Sequence, residues 1–210
     1  MAVLKEEQLE KISLEFDDDL LTFQHFANYP NLLPYIGKNF SKNEKRVLII
    51  AESHYFPDDI FYKNISAEEF YDRKIKFDDI YFMFTRFELT RKKIHRIHKN
   101  LGKHINYSDI AYYNFFLRPE SNKLSINIKP IDKEIANNAF KIIVEKLQPN
   151  KIIFVSKKSY DNLTIENKNN YKEKIFHCVH PNSIWWNKPM KKHGGKNGKD
   201  IFKSILEKWN

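Results

Sequence analysis

A chain of 210 residues, 41% hydrophobic and 30% charged, can bury one core and is short for two, so a single domain over residues 1–210 is expected, with 1–45 as an N-terminal helical extension. A mean hydropathy of −0.63, no apolar run approaching ~18 residues, acids and lysines through residues 1–10 and a lone Cys178 argue against a membrane helix, a secretory leader, a disulfide framework and a multi-cysteine metal site, which points to the cytoplasm. The net charge of +9 sits entirely in residues 141–210, where 15 Lys face 6 Asp/Glu; the first 140 residues hold 21 charges of each sign.

Residues 3–27 read as a helical region, with Leu4, Leu9, Ile12, Leu14, Leu20 and Phe23 at loosely helical spacing. Asp17, Asp18 and Asp19 suit a solvated loop or a helix start. Tyr29-Pro30 and Leu33-Pro34 interrupt the region, and Gly37 marks a turn. Residues 46–51 read as the first strong strand, with a short continuous β-branched run after Arg46, the pattern of a strand buried on both faces. That strand delivers Glu52, Ser53, His54 and Tyr55 at its carboxyl end. An aromatic-rich insert over 56–87 reads as core or lid. Residues 88–103 read as a basic helix carrying Arg91, Lys92, Lys93, Arg96 and Lys99, with His95 and His98 facing solvent.

A second strand over 110–116 includes Asn114 and ends before Arg118-Pro119, because proline cannot complete a ladder. The next helix starts after Pro130, with Asp132 as N-cap and Glu134 favouring the helix dipole. Its apolar stripe is Ile135, Ala139, Ile142, Ile143 and Leu147, and Pro149-Asn150 ends it. Residues 151–156 form a third strand and 175–179 a fourth, which delivers His180, Pro181, Asn182 and Ser183. A last helix covers 199–209. The alternation predicts an α/β protein in which a mostly parallel four-stranded sheet is covered on both sides, a three-layer α/β/α arrangement. Parallel strands would bring the polar clusters at 52–55, 114–119 and 180–183 to one rim, where open α/β sheets bind ligands.

Ser53 and His54 are neighbours on a strand and point to opposite faces, so they are poorly placed as a nucleophile–base dyad. A metal set of His54, Asp58, Asp59 and His180 has suitable ligand types but no diagnostic spacing. Trp185 and Trp186 lie between basic stretches, a setting suited to base stacking, although burial is the usual fate of tryptophan.

These clusters, in this order, resemble the motifs of the uracil-DNA glycosylase superfamily, and are most similar to its iron–sulfur branch. Ala51-Glu52-Ser53-His54-Tyr55 stands where that branch has G-E-A-P-G. Asn114 and Arg118-Pro119 follow, then Pro130-Ile131-Asp132, a helix, and Pro149 ahead of Ile152. His180-Pro181-Asn182 stands for H-P-S, and the likeness spans about residues 46–187. The resemblance implies a uracil-DNA glycosylase-like fold and hydrolysis of the N-glycosidic bond of a flipped-out or single-stranded base. By position, Asn114 would read the base and His180 would stabilise it as it leaves. Glu52 is the carboxylate nearest the attacking water, and Ser53 stands where some branches place the group that activates it. His54, Tyr55, Phe56 and Asn182 would line the base pocket, with Phe61 or Tyr62 as further stacking rings. Trp185 and Trp186 stand where relatives insert a wedge, and Lys188, Lys191, Lys192 and Lys196 would grip phosphates.

DNA is the implied partner of a monomer that needs no cofactor and no metal. The departures are Ala51 and His54 for Gly and Pro, Asn182 for Ser, and missing cluster cysteines, so no iron–sulfur cluster is implied. Two alternatives remain open: a non-catalytic nucleic-acid-binding module on the same scaffold, and a hydrolase of a free nucleoside or other small molecule.

Overall fold

The computed structural model describes residues 5–55, 66–72, 85–90, 95–120 and 125–208. Its strands are β1 (Tyr35–Ile36), β2 (Val47–Tyr55), β3 (Ile110–Glu120), β4 (Lys151–Phe154) and β5 (Ile175–His177). Helical segments in the first half are α1 (Glu6–Leu9), α2 (Asp17–Leu20), α3 (Gln24–Asn28), α4 (Ala67–Tyr71), α5 (Thr85–Thr90) and α6 (Arg96–Leu101). Those in the second half are α7 (Pro130–Leu147), α8 (Lys157–Asp161), α9 (Ile165–Asn170) and α10 (Gly198–Glu207). None of the described helices is long and apolar enough to cross a membrane.

The sheet order is β1-β3-β2-β4-β5, with β2 to β5 parallel and β1 antiparallel on the outer side of β3. The apolar runs of β2 and β4 suit their interior places, since a strand paired on both sides and covered on both faces is filled mainly by apolar side chains. Leu48 and Ile50 join Tyr113, Phe115 and Phe154 in a cluster with α7 residues Phe140, Ile143 and Leu147. Val47, Ile49 and Ala51 face the other way, toward Tyr112, Ile153 and the α10 residues Phe202 and Ile205. The protein is therefore α/β, with helices packed against both faces of a five-stranded, mostly parallel sheet.

The fifth strand is the first correction to the sequence reading. β1 has two residues, Tyr35 opposite Tyr112 and Ile36 opposite Ala111, too short to show a period. Gly37 follows because a side chain there would lie 2.2 Å from the Tyr107 carbonyl oxygen. The N-terminal region is three short helices rather than one helical stretch, and Leu20, Phe26, Leu32, Ile36 and Phe40 carry it into the main core. Asp17 opens α2 and takes both guanidinium ends of Arg86 at 2.7 Å, while Arg86 Nε donates to the Pro34 carbonyl.

β2 continues through its polar cluster to Tyr55, and β3 continues through Pro119 to Glu120. The β2–β3 register slips between Ser53 and Tyr55, so Pro119 lies in an irregular stretch that needs no regular ladder bond. The basic segment divides into α5 and α6, and Arg91, Lys92 and Lys93 lie outside the described residues. His98 is a core residue instead of a surface one. Its Nε2 lies 3.2 Å from Glu88 Oε2, and His95 Nδ1 lies 2.8 Å from Oε1. Burial pushes the Glu88 carboxyl up, but the two histidines outweigh it and hold the group down at about 2.

Asp132 is the third residue of α7, and Lys129 is the N-cap. The Asp132 carboxylate is fully buried and accepts from Lys129 N–H at 2.8 Å, Tyr71 Oη at 2.8 Å, Arg118 Nε at 2.8 Å and Arg118 Nη2 at 2.9 Å. It joins α7, β3 and α4. Removing one partner of such a pair strands a buried charge, so Asp132→Ala should cost roughly 3–5 kcal/mol of stability. Urea unfolding at unchanged m-value measures this, and a loss below about 1 kcal/mol would contradict the assigned role.

His25 is buried among rings, 5.0 Å from Tyr29 and 5.1 Å from Tyr71 between ring centres, and its Nε2 has no hydrogen-bond partner. Burial lowers its pKa from 6.5 to about 4. The unfolded chain therefore binds the extra proton first as pH falls. Stability is complete above pH 6.5 and declines toward pH 4, by on the order of 3 kcal/mol from this group. His25→Phe should flatten the stability profile across that window in thermal unfolding; an unchanged slope would rule the origin out.

Candidate active site

The parallel register places the ends of β2, β3, β4 and β5 at one rim. Ala51 pairs with Asn114, Ile50 with Phe154, and Phe154 with His177. Glu52 is thus one step beyond a strand partner of Asn114, Ser156 is two residues beyond Phe154, and His180 is three beyond His177.

Glu52 is held by hydroxyls. Ser156 Oγ donates to its Oε2 at 2.9 Å, and Ser125 Oγ donates to its Oε1. Lys158 donates to Ser125 Oγ at 2.8 Å and also to the Ile126 carbonyl, which brings a cation behind the carboxylate. Ser156 is also the N-cap of α8 and accepts from Ser159 N–H, while Ser159 Oγ donates to the Ala51 carbonyl at 2.9 Å. The first turn of α8 therefore grips the end of β2 twice. Ser125, Ser156 and Lys158 are absent from the sequence-derived site. Only Ser156, closing a buried strand, gave any local signal.

Asn114 is buried and faces the α10 side of the sheet, as its partner Ala51 does. Glu52, one residue along, emerges toward α8. The two side chains reach the rim from opposite faces, so a ligand that meets both must lie across the strand ends. The Asn114 amide nitrogen lies 3.2 Å from His54 Nδ1 and 3.4 Å from Nε2. Ser53 is buried, with no hydrogen-bond partner for its hydroxyl. Tyr55 is described in its backbone alone; Phe56, Asp58, Asp59, Phe61 and Tyr62 lie outside the described residues.

His180 is partly buried, and its Nδ1 accepts from the Asn182 backbone N–H at 3.2 Å. In the neutral ring the proton then sits on Nε2. Burial lowers the His180 pKa, and the opposing pull of the Glu52 carboxylate is smaller, so the neutral ring is favoured. This coupling also places Glu52 within electrostatic reach of His180. Asn182 acts on His180 through its backbone, and its own side chain is exposed. Asn100 of α6 donates to the Pro181 carbonyl at 2.8 Å and fixes the turn from the α10 side.

The tryptophan pair divides. Trp185 is 46% exposed beside Ile184, which is 64% exposed. Trp186 is 2% exposed and packs 5.7 Å from Phe202, so it is a core residue and unavailable as a surface ring. A tight helical turn over Ile184–Trp186 sends the consecutive rings to opposite sides. Lys188, Lys191, Lys192 and Lys196 are exposed on the segment that follows. A shallow cavity of about 410 Å³ lined by Asn39, Lys42 and Asp109 lies near the amino ends of β2 and β3 and contains none of the predicted site residues.

No family model and no curated protein matches the chain. Trp186→Ala should cost roughly 3–5 kcal/mol and Trp185→Ala less than about 0.5 kcal/mol by urea unfolding. Similar losses for both would overturn their division.

Proposed function

We propose that the protein hydrolyses the N-glycosidic bond of a base turned out of a nucleic acid strand, on a three-layer, uracil-DNA glycosylase-like scaffold. One observation carries the reading: a carboxylate and a histidine biased toward its neutral form lie within electrostatic reach of each other at one rim of the parallel sheet, and a buried amide reaches the same rim from the opposite face. Glycosidic cleavage leaves negative charge on the departing base and positive charge on the sugar. The Nε2–H of neutral His180 supplies a hydrogen bond to a base carbonyl oxygen as that charge grows, and burial strengthens it. Glu52, fixed by Ser125 and Ser156, retains lone pairs to orient a water toward the sugar carbon. The water oxygen forms the new bond to carbon, the glycosidic pair leaves with the base, and Glu52 takes the proton. Asn114 faces the edge of the base. Trp185 offers an exposed ring, and the lysines after it attract the phosphates.

The direct test uses oligonucleotides containing uracil, hypoxanthine or xanthine and measures abasic sites by alkaline cleavage. Turnover is expected for at least one, with His180→Ala and Glu52→Gln each lowering kcat by about 100-fold or more. No abasic sites under conditions where an established member of that superfamily works would sink the hydrolytic reading. Salt-sensitive binding without turnover would leave a nucleic-acid-binding module in its place.

A further inference from the structure

The free edge of the sheet carries a group of rings and cations that bond cleavage does not use. β5 is last in the sheet order and pairs only with β4 among the described residues. Its final residue, His177, is exposed, and its ring stacks on Tyr160 of α8 with 4.3 Å between ring centres. Tyr160 meets the buried Phe154 edge-on at 5.9 Å, so the stack is rooted in the core and ends in solvent. A ring held still from behind and open in front is what base stacking requires. Cations flank it. Lys168 Nζ lies 4.7 Å from the centre of the Tyr160 ring. Lys157 is exposed one turn before Tyr160 on the same face of α8, paired with Asp161. Lys192 and His193 stand on a separate turn, closed by the Met190 N–H donating to the Lys196 carbonyl at 3.1 Å. Burial and then Lys157 lower the His177 pKa, Asp161 opposes them, and His193 and Lys192 add to the lowering. The ring is therefore biased toward its neutral form, and positive charge reaches it from two segments of the chain.

We propose that His177, backed by Tyr160, is a stacking platform for an unpaired base of single-stranded DNA, with Lys157 and Lys192 drawing the adjoining phosphates. The platform shares a nucleic-acid partner with the hydrolytic reading above but none of its chemistry. His177 is three residues before His180, a span of at most about 10 Å. A strand with one base at the rim can therefore lay a neighbouring base on this ring. Bases inside a duplex have both faces covered by their neighbours and cannot use it, so the platform favours unpaired strands.

The experiment measures binding of a fluorescein-labelled, lesion-free DNA strand of about 12 nucleotides by anisotropy, alone and annealed to its complement. H177L fills the place beside Tyr160 without a π face. It should raise the Kd for the single strand about fivefold or more and leave that for the duplex within about twofold. H177F, which restores a ring, should bind the single strand as the wild type does. K192Q should make the slope of log affinity against log salt shallower by about 0.7 for the single strand. An unchanged single-strand Kd in H177L, an equal loss on both probes, or no single-strand binding by the wild-type chain overturns the platform. The assay reads binding alone, so the two readings fail separately. Binding that depends on the ring, with no base released from any lesion, keeps this surface and removes the hydrolytic reading. Turnover with H177L binding unchanged removes only the surface.

Discussion

The parallel pairing of β2 with both β3 and β4 is the constraint on which everything else rests. Val47 is opposite Ile110 on one side and Lys151 on the other, and Ile50 is opposite Tyr113 and Phe154. Two parallel neighbours, with β5 parallel to β4 beyond them, put these carboxyl ends at the same rim, so residues 52, 114, 156 and 180 lie along it although they are distant in sequence. A one-residue slip of β2 would send Leu48 and Ile50 to the opposite face and turn Glu52 away from α8. The apolar alternation that packs α7 on one side and α10 on the other therefore also sets the geometry of the polar ends.

The fold was legible where burial is strong and continuous. Residues 47–51 and 152–155 announce central strands by lacking any polar interruption, and α7 shows its stripe. β1 was not legible, because two residues have no period and are defined by a partner 77 and 75 residues away. The polar site was legible in part. Glu52 and His180 could be picked out because each lies just beyond a visible strand, and Asn114 because it is a polar residue inside an otherwise apolar and aromatic one. Ser125 and Lys158 could not, since their relation to Glu52 exists only in three dimensions. His98 was misread because the partner that draws it inward, Glu88, lies ten residues earlier on a separate helix. Trp186 was misread because a tight turn, unlike a strand or a long helix, leaves no periodicity to separate two adjacent rings.

The rim is electrostatically uneven in a way suited to charge separation. Glu52 has Lys158 and two hydroxyls on its α8 side, whereas His180 is held toward its neutral form by burial and by the Asn182 N–H. The anion and the neutral donor approach from different strands and need no rearrangement to stand apart. Part of the lysine excess lies beyond them in the sequence, on the exposed stretch after Trp185; under the proposed function, attraction of a polyanion would fall largely on that stretch and chemistry on the rim.

The hydroxyl of Ser156 has two duties: it receives the Ser159 N–H that starts α8 and gives its own proton to Glu52. Genetic drift at this position cannot adjust the acid without also loosening the helix. Alanine forfeits both contacts, and a carboxylate side chain would cap the helix but repel its neighbour. Threonine retains both the acceptor and the proton on one oxygen, and asparagine can offer both only from separate atoms of a longer side chain. Position 156 should therefore tolerate little variety, and selection for folding by itself would preserve the setting of Glu52.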